Sequence, residues 1–185
     1  MRATEFWMIR HAPIGDGLLA GRRDPDAVVD ASDARALAAV LGHPGRLVAS
    51  PARRCVQTAA ALWPGMAMQT DQGLWEQDFG DWEGRPPSAI PDLGPLDPAT
   101  LATDAAHGGE SFADLVRRTL PALQALAIGG SVAVVAHAGT IRAALAHATG
   151  HVPGALAFQV APLSLTRIVA ASGGWSVACV NWMPA

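Results

Sequence analysis

Residues 131–142 read SVAVVAHAGTIR, and the order of residue types in this stretch decides the fold class. Ser131 to Ala136 is β-branched and apolar on both faces, as a central parallel strand covered by helices on both sides should be. The chain turns polar at His137, passes through two small residues, Ala138 and Gly139, and enters GTIRAALAHATG, a helical pattern closed by Gly150. Such a strand-to-helix junction lets backbone approach a ligand closely and aims helix-terminal N–H groups at it, which suits an anion.

Two earlier segments repeat the pattern of an apolar strand ending in charge. EFWMI (5–9) runs into Arg10-His11 and a loop holding Pro13, Gly15 and Gly17, and RLVAS (46–50) runs into PARRCVQTAAALWP. There Ser50 reads as an N-cap, Pro51 as a first-turn residue and Pro64 as a stop. ASDARALAAVLG (31–42) has helical spacing and MAMQT (66–70) reads as a third strand. SFADLVRRTLPALQALA (111–127) is helical, with Pro121 expected to kink or break it. ALAFQV, SLTRIVAAS and GWSVACVNW read as late strands, the last two a hairpin across Gly173-Gly174. Strands alternating with helices predict a three-layer α/β/α sandwich around a mainly parallel sheet. The chain is read as one domain over 1–185, with residues 84–110, rich in proline and glycine, as an excursion over the site.

Composition sets the outer limits. The chain has 185 residues, half of them apolar and 16% charged, which favours a compact core over disorder. A net charge of −3 gives no overall pull toward nucleic acid or an anionic membrane, so an anionic ligand has to be held by placed arginines. Two cysteines without CxxC spacing provide neither a disulfide framework nor a thiolate zinc site. His147 and His151 stand i, i+4, but Gly150 breaks the helix between them, and no metal and no cofactor are expected. No signal-peptide core and no long apolar run are visible, so a cytoplasmic protein with no membrane partner is expected.

In open α/β sheets ligands bind at the carboxyl ends of the strands. Arg10 and His11, Arg54 and His137 all fall there. Arginines grip phosphoryl oxygens with bidentate forks, and an imidazole attacks phosphorus while a second donates to the moving oxygens. An alkoxide leaving group needs an acid, and GLWEQDFGDWEG (73–84) supplies Glu76 between Trp75 and Phe79. Glu83 and Glu110 compete for that role. Arg53 is expected to face away from the site, and Arg142 is read as structural.

RHA, SPARRCVQTA, LWEQDFGDWEG and VVAHAGTIR, in that order, resemble the histidine phosphatase, or phosphoglycerate-mutase-like, superfamily. The resemblance implies that His11 becomes phosphorylated, that Arg10, Arg54 and His137 complete the phosphate pocket, and that Glu76 is the acid. Ala12 and Ala138 stand where the family usually has glycine. The short chain is similar to the phosphatase branch, and AGRRD with GGESFADLVRR resembles alpha-ribazole phosphatases of cobalamin biosynthesis. That finer resemblance implies alpha-ribazole 5′-phosphate as substrate, Arg22 and Ser111 as substrate contacts, and Trp75 and Trp82 as stacking partners for its base. Phosphoglycerate mutase-type transfer and a non-catalytic phosphoprotein-binding module are the alternatives, and a homodimer stays open.

Overall fold

The computed structural model describes residues 2–94 and 96–184. Its strands are β1 (Thr4–Arg10), β2 (Arg46–Ala49), β3 (Met68–Thr70), β4 (Gly130–Ala136), β5 (Leu165–Ala171) and β6 (Gly174–Trp182), and its helices are α1 (Ala31–Leu41), α2 (Arg53–Leu62), α3 (Pro98–Thr103), α4 (Phe112–Leu126) and α5 (Ala138–Thr149). One sheet runs in the order β3-β2-β4-β1-β5-β6. The first four of these strands are parallel, and β5 and β6 are added antiparallel.

The double-sided apolar pattern of residues 131–136 has its cause in this order. On β4, Val132, Val134 and Ala136 pack into the core that also holds Ile141 and Leu145 of α5, while Ala133 and Val135 face the core holding Leu37 of α1 and Leu62 of α2. The strand period of two therefore feeds two cores at once, and no polar residue fits on either face. Because β1, β2 and β4 run parallel, Arg10, Ser50 and His137 emerge at one sheet edge, with Arg10 opposite Ala136 and Ala49 opposite Val135.

The caps follow the sequence logic in part. Asp30 caps α1 by accepting from the Ser32 and Asp33 N–H groups, and Gly42 ends it at φ +71, a backbone angle that favours glycine. Ser111 and Asp114 form a reciprocal capping box on α4.

Two expectations need correction and two are refined. Helix α2 begins at Arg53 with Ala52 at the cap, so Ser50 is not its N-cap. Pro121 sits inside an uninterrupted α4. The Pro-rich excursion carries the short helix α3, capped by Asp97 with Pro98 in its first turn. ALAFQV is no strand: Pro153 and Gly154 open a 3-10 turn through Ala157. The Phe158 and Val160 carbonyls beyond that turn accept from arginine side chains instead of a neighbouring strand.

Candidate active site

At the carboxyl edge of the sheet lies a cavity of about 440 Å³ whose wall includes Arg10, His11, Glu76, Gly139 and Arg142. His11 follows β1 directly and is nearly buried. Its Nδ1 lies 2.7 Å from the Ala12 carbonyl. A carbonyl only accepts, so Nδ1 carries the proton and Nε2 keeps its lone pair. Ala12 is in turn fixed by its own N–H, which donates to Thr58 Oγ1 at 2.9 Å, and that hydroxyl donates to the Arg54 carbonyl. Burial brings the His11 pKa down to about 3; the Ala12 carbonyl opposes this and the charges of Arg54 and Arg10 add to it. The ring is neutral at neutral pH.

His137 caps α5 and is fully buried behind His11, the two ring centroids 5.2 Å apart. Its Nε2 lies 2.8 Å from Ser50 Oγ, which also accepts from the Ala52 N–H at 3.4 Å just ahead of α2. Cys55 Sγ also approaches Nε2, at 3.5 Å. Burial, then the charge of Arg54, the neighbouring His11 ring and the charge of Arg10, hold His137 well below the usual histidine range. Burial pushes the Cys55 thiol up, so it stays protonated.

Covalent neighbours Arg53 and Arg54 separate as expected. The Arg53 side chain is 62% exposed and pairs with Asp26, whereas Arg54 is completely buried. The bidentate fork expected of Arg54 is occupied, however. Its Nη1 donates to the Arg23 carbonyl and its Nη2 to those of Ala20 and Gly21, which pins the loop after β1. Only Nε is left buried without a partner, and the same is true of Arg10 Nε. Two unpartnered buried guanidinium donors beside His11 ask for an acceptor, and an oxyanion supplies one.

Of the three candidate carboxylates, Glu76 is the one on the cavity wall. Its Oε1 accepts from the Gln77 N–H and its Oε2 from the Gly139 N–H. The approach is close enough that a Cβ at Gly139 would lie 2.1 Å from Oε1, so a larger residue there has to displace the carboxylate. At position 138 alanine is accommodated on the cavity wall. Glu83 is taken up elsewhere, accepting from the N–H groups of Gly21, Arg22, Arg23 and Phe79, and Glu110 pairs with Arg118.

Residues 6–183 match the family model of the histidine phosphatase superfamily, branch 1. The chain belongs to that superfamily. Glucosyl-3-phosphoglycerate phosphatase of Mycobacterium tuberculosis is 33% identical over 165 residues, covering 77% of this chain and 74% of its own. Among solved structures, one described as mycobacterial hydrolase 1 superposes with a TM-score of 0.85 at 28% identity, covering 98% of this chain and all of that one. A putative alpha-ribazole-5′-P phosphatase from Escherichia coli superposes at 0.80 with 21% identity, covering 98% of this chain and 97% of its own, a likeness of fold. The protein is a phosphatase of this superfamily. Among the described residues, no helix is long and apolar enough to cross a membrane, and no group of three or more His, Cys, Asp or Glu residues is placed to hold a metal.

Other expected contacts of this histidine phosphatase fall outside the cavity wall. The Ser111 side chain is held in the α4 capping box, its hydroxyl donating to Asp114 Oδ2. Arg22 lies over the Trp75 ring and 3.8 Å from both Asp78 and Glu110. The Trp75 indole donates to the Gly21 carbonyl, and neither Trp75 nor Trp82 lines the cavity; its aromatic wall is Phe79 and Phe112. From the excursion, Pro87 reaches the wall. The residue that sequence reasoning missed is Arg142, which lines the cavity while its Nε donates to the Phe158 carbonyl. Its place one turn into α5, on the side of His137-Ala138, was the available signal.

Proposed function

We propose that the protein hydrolyses a small phosphorylated metabolite through a phosphohistidine on His11. What carries the reading is the Ala12 carbonyl against Nδ1, which leaves Nε2 of a neutral, cavity-lining imidazole free to attack. The Nε2 lone pair attacks phosphorus, the P–O ester bond breaks, and the departing oxygen takes the Glu76 carboxyl proton. Glu76 then removes a proton from water, whose oxygen attacks phosphorus. The N–P bond breaks, its electron pair returns to Nε2, and inorganic phosphate leaves. Arg10 and the unpartnered Nε of Arg54 hold the phosphoryl oxygens through both steps, and His137 supports them from behind.

Glucosyl-3-phosphoglycerate, for which the 33% identical relative is named, is the first ester to try. Alpha-ribazole 5′-phosphate is the second, with Phe79 and Phe112 rather than the tryptophans offering apolar surface to its base. The test of the chemistry is rapid mixing with a labelled phosphomonoester. Acid-labile, base-stable phosphate should appear on the His11 peptide, and His11→Ala should lose both label and turnover. Label on another residue, or turnover that survives His11→Ala, would end the phosphohistidine reading.

A further inference from the structure

Arg10 is tied at three points to one short stretch of chain ahead of β5. Its backbone N–H donates to the Ser164 carbonyl at 3.3 Å, its carbonyl accepts from the Leu163 N–H at 3.0 Å, and its Nη1 donates to the Val160 carbonyl at 2.6 Å. Arg10 Nε stays buried without a partner, free for an oxyanion. Residues 161–164 form a tight turn, closed by the Ser164 N–H on the Ala161 carbonyl at 3.1 Å, with Pro162 on the cavity wall. Proline suits the second position of a type II turn, but the third, which favours glycine, is taken by Leu163 at φ +56. A bulky side chain keeps that backbone angle when its surroundings impose it. Part of the constraint is packing, since Leu163 lies against the core that holds Leu37.

The rest comes from β6. Asn181 Oδ1 accepts from the Ala161 N–H at 2.6 Å. Apart from Arg10 itself, it is the one side chain hydrogen-bonded to residues 160–164 among the described residues. Its reach has a cause in the sheet. Leu165 pairs with Trp182 and Arg167 with Cys179, two residues apart on β5 but three apart on β6, so β6 is bulged there. Asn181 lies in the bulge at φ +56, with its N–H on Thr166 Oγ1. Bulges re-aim side chains, and asparagine and aspartate are the short acceptors that tolerate this angle best. A second left-handed residue thus holds the turn that contains the first.

We propose that Asn181 is a positioning residue for Arg10: through the Ala161 N–H it fixes the turn, and through the Val160 carbonyl the turn aims the guanidinium at the phosphoryl oxygens. This role rests on Arg10 as a phosphate-binding residue, and Arg10→Ala tests that part by itself. The probes are p-nitrophenyl phosphate as substrate and inorganic phosphate as inhibitor. Asn181→Gly keeps the backbone angle and loses the acceptor. It should lower kcat/KM and raise the phosphate inhibition constant by about tenfold each, the equivalent of about 1.4 kcal/mol. Asn181→Asp keeps both the angle and an acceptor and should recover most of the loss. In an Arg10→Ala background, Asn181→Gly should add less than about twofold, because its route to the ligand is gone; an asparagine that only stabilises the fold would lower both backgrounds alike. Wild type offers a readout without variants. By linkage, saturating inorganic phosphate should slow hydrogen exchange at the Ala161 amide. Phosphate inhibition undiminished in Asn181→Gly, equal losses in both backgrounds, or Ala161 exchange unmoved by phosphate would overturn the positioning role. Phosphate inhibition unchanged by Arg10→Ala would instead overturn the phosphate pocket beneath it.

Discussion

The floor of the site, His11 on the cavity wall with His137 and Arg54 behind it, is buried, and most polar atoms there meet a backbone carbonyl or a neighbouring side chain at hydrogen-bond distance. At the mouth, Arg22, Asp78 and Glu110 sit at 3.8 Å in partly exposed pairs. The two regions differ in what holds their polar groups. Floor groups are fixed by parallel strand ends and a pinned loop, so their geometry is set before any ligand arrives. The pairs at the mouth are screened by solvent and change partners at little cost. Chemistry that needs a placed lone pair belongs on the floor, and removing a floor residue should cost far more than removing one at the mouth.

Arg54→Ala is the most severe break. It leaves the Ala20, Gly21 and Arg23 carbonyls without their donor, each worth about 1–3 kcal/mol if it stays buried. Turnover should fall by about 10²- to 10³-fold in the fraction that folds, as for loss of an oxyanion contact. Arg53→Ala should stay within about 0.5 kcal/mol in denaturant titration and leave kcat/KM unchanged. Equal effects from these neighbours would erase the distinction between buried and solvated charge.

Glu76→Gln should slow alkyl phosphates by about 10²- to 10⁴-fold and aryl phosphates with acidic leaving groups much less. Gly139→Ala should mimic it, because the new Cβ meets Glu76 Oε1 and displaces the carboxylate. A uniform loss on both ester classes would make Glu76 a scaffold residue.

A pH series sharpens the same contrast through stability. His11 and His137 are neutral when folded and titrate near the ordinary value of about 6.5 when unfolded. Both folded values are depressed, so the stability they permit is complete above pH 6.5 and is lost as pH falls toward 3, where His11 itself titrates. Between pH 6.5 and 5 the unfolded state gains about 1.6 kcal/mol per histidine. Urea melts of His11→Ala should therefore show a shallower acid slope than wild type by about that amount; identical slopes would mean that His11 is charged when folded.

The smallest effect is expected at Ser111. Ser111→Ala removes the hydroxyl half of the α4 capping box and should cost about 1 kcal/mol of stability. Its kcat/KM should stay within about twofold, as no cavity contact is lost. A large rise in KM with unchanged stability would restore Ser111 as a substrate contact.

The positions of Arg10, His11 and His137 at one sheet edge were legible because strand ends announce themselves locally, by apolar runs that stop abruptly at charge. The separation of Arg53 from Arg54 was legible too, since helical spacing alone divides a wet face from a buried one. Glu76 was readable as a type and a neighbourhood, but its hold on the Gly139 N–H joins residues 63 positions apart, beyond any local pattern.

By itself the sequence determined the layered α/β architecture and which strand ends carry charge, because periodicity and strand termination are properties of consecutive residues. Tertiary structure alone decided what each charged group touches. It turned Ser50 toward His137 and filled the Arg54 fork with the Ala20, Gly21 and Arg23 carbonyls. It withdrew residues 155–160 from the sheet and used two of their carbonyls to hold Arg10 and Arg142. The reason is physical: a hydrogen bond is made to whichever partner the packed cores bring within about 3 Å, and sequence distance has no part in that choice.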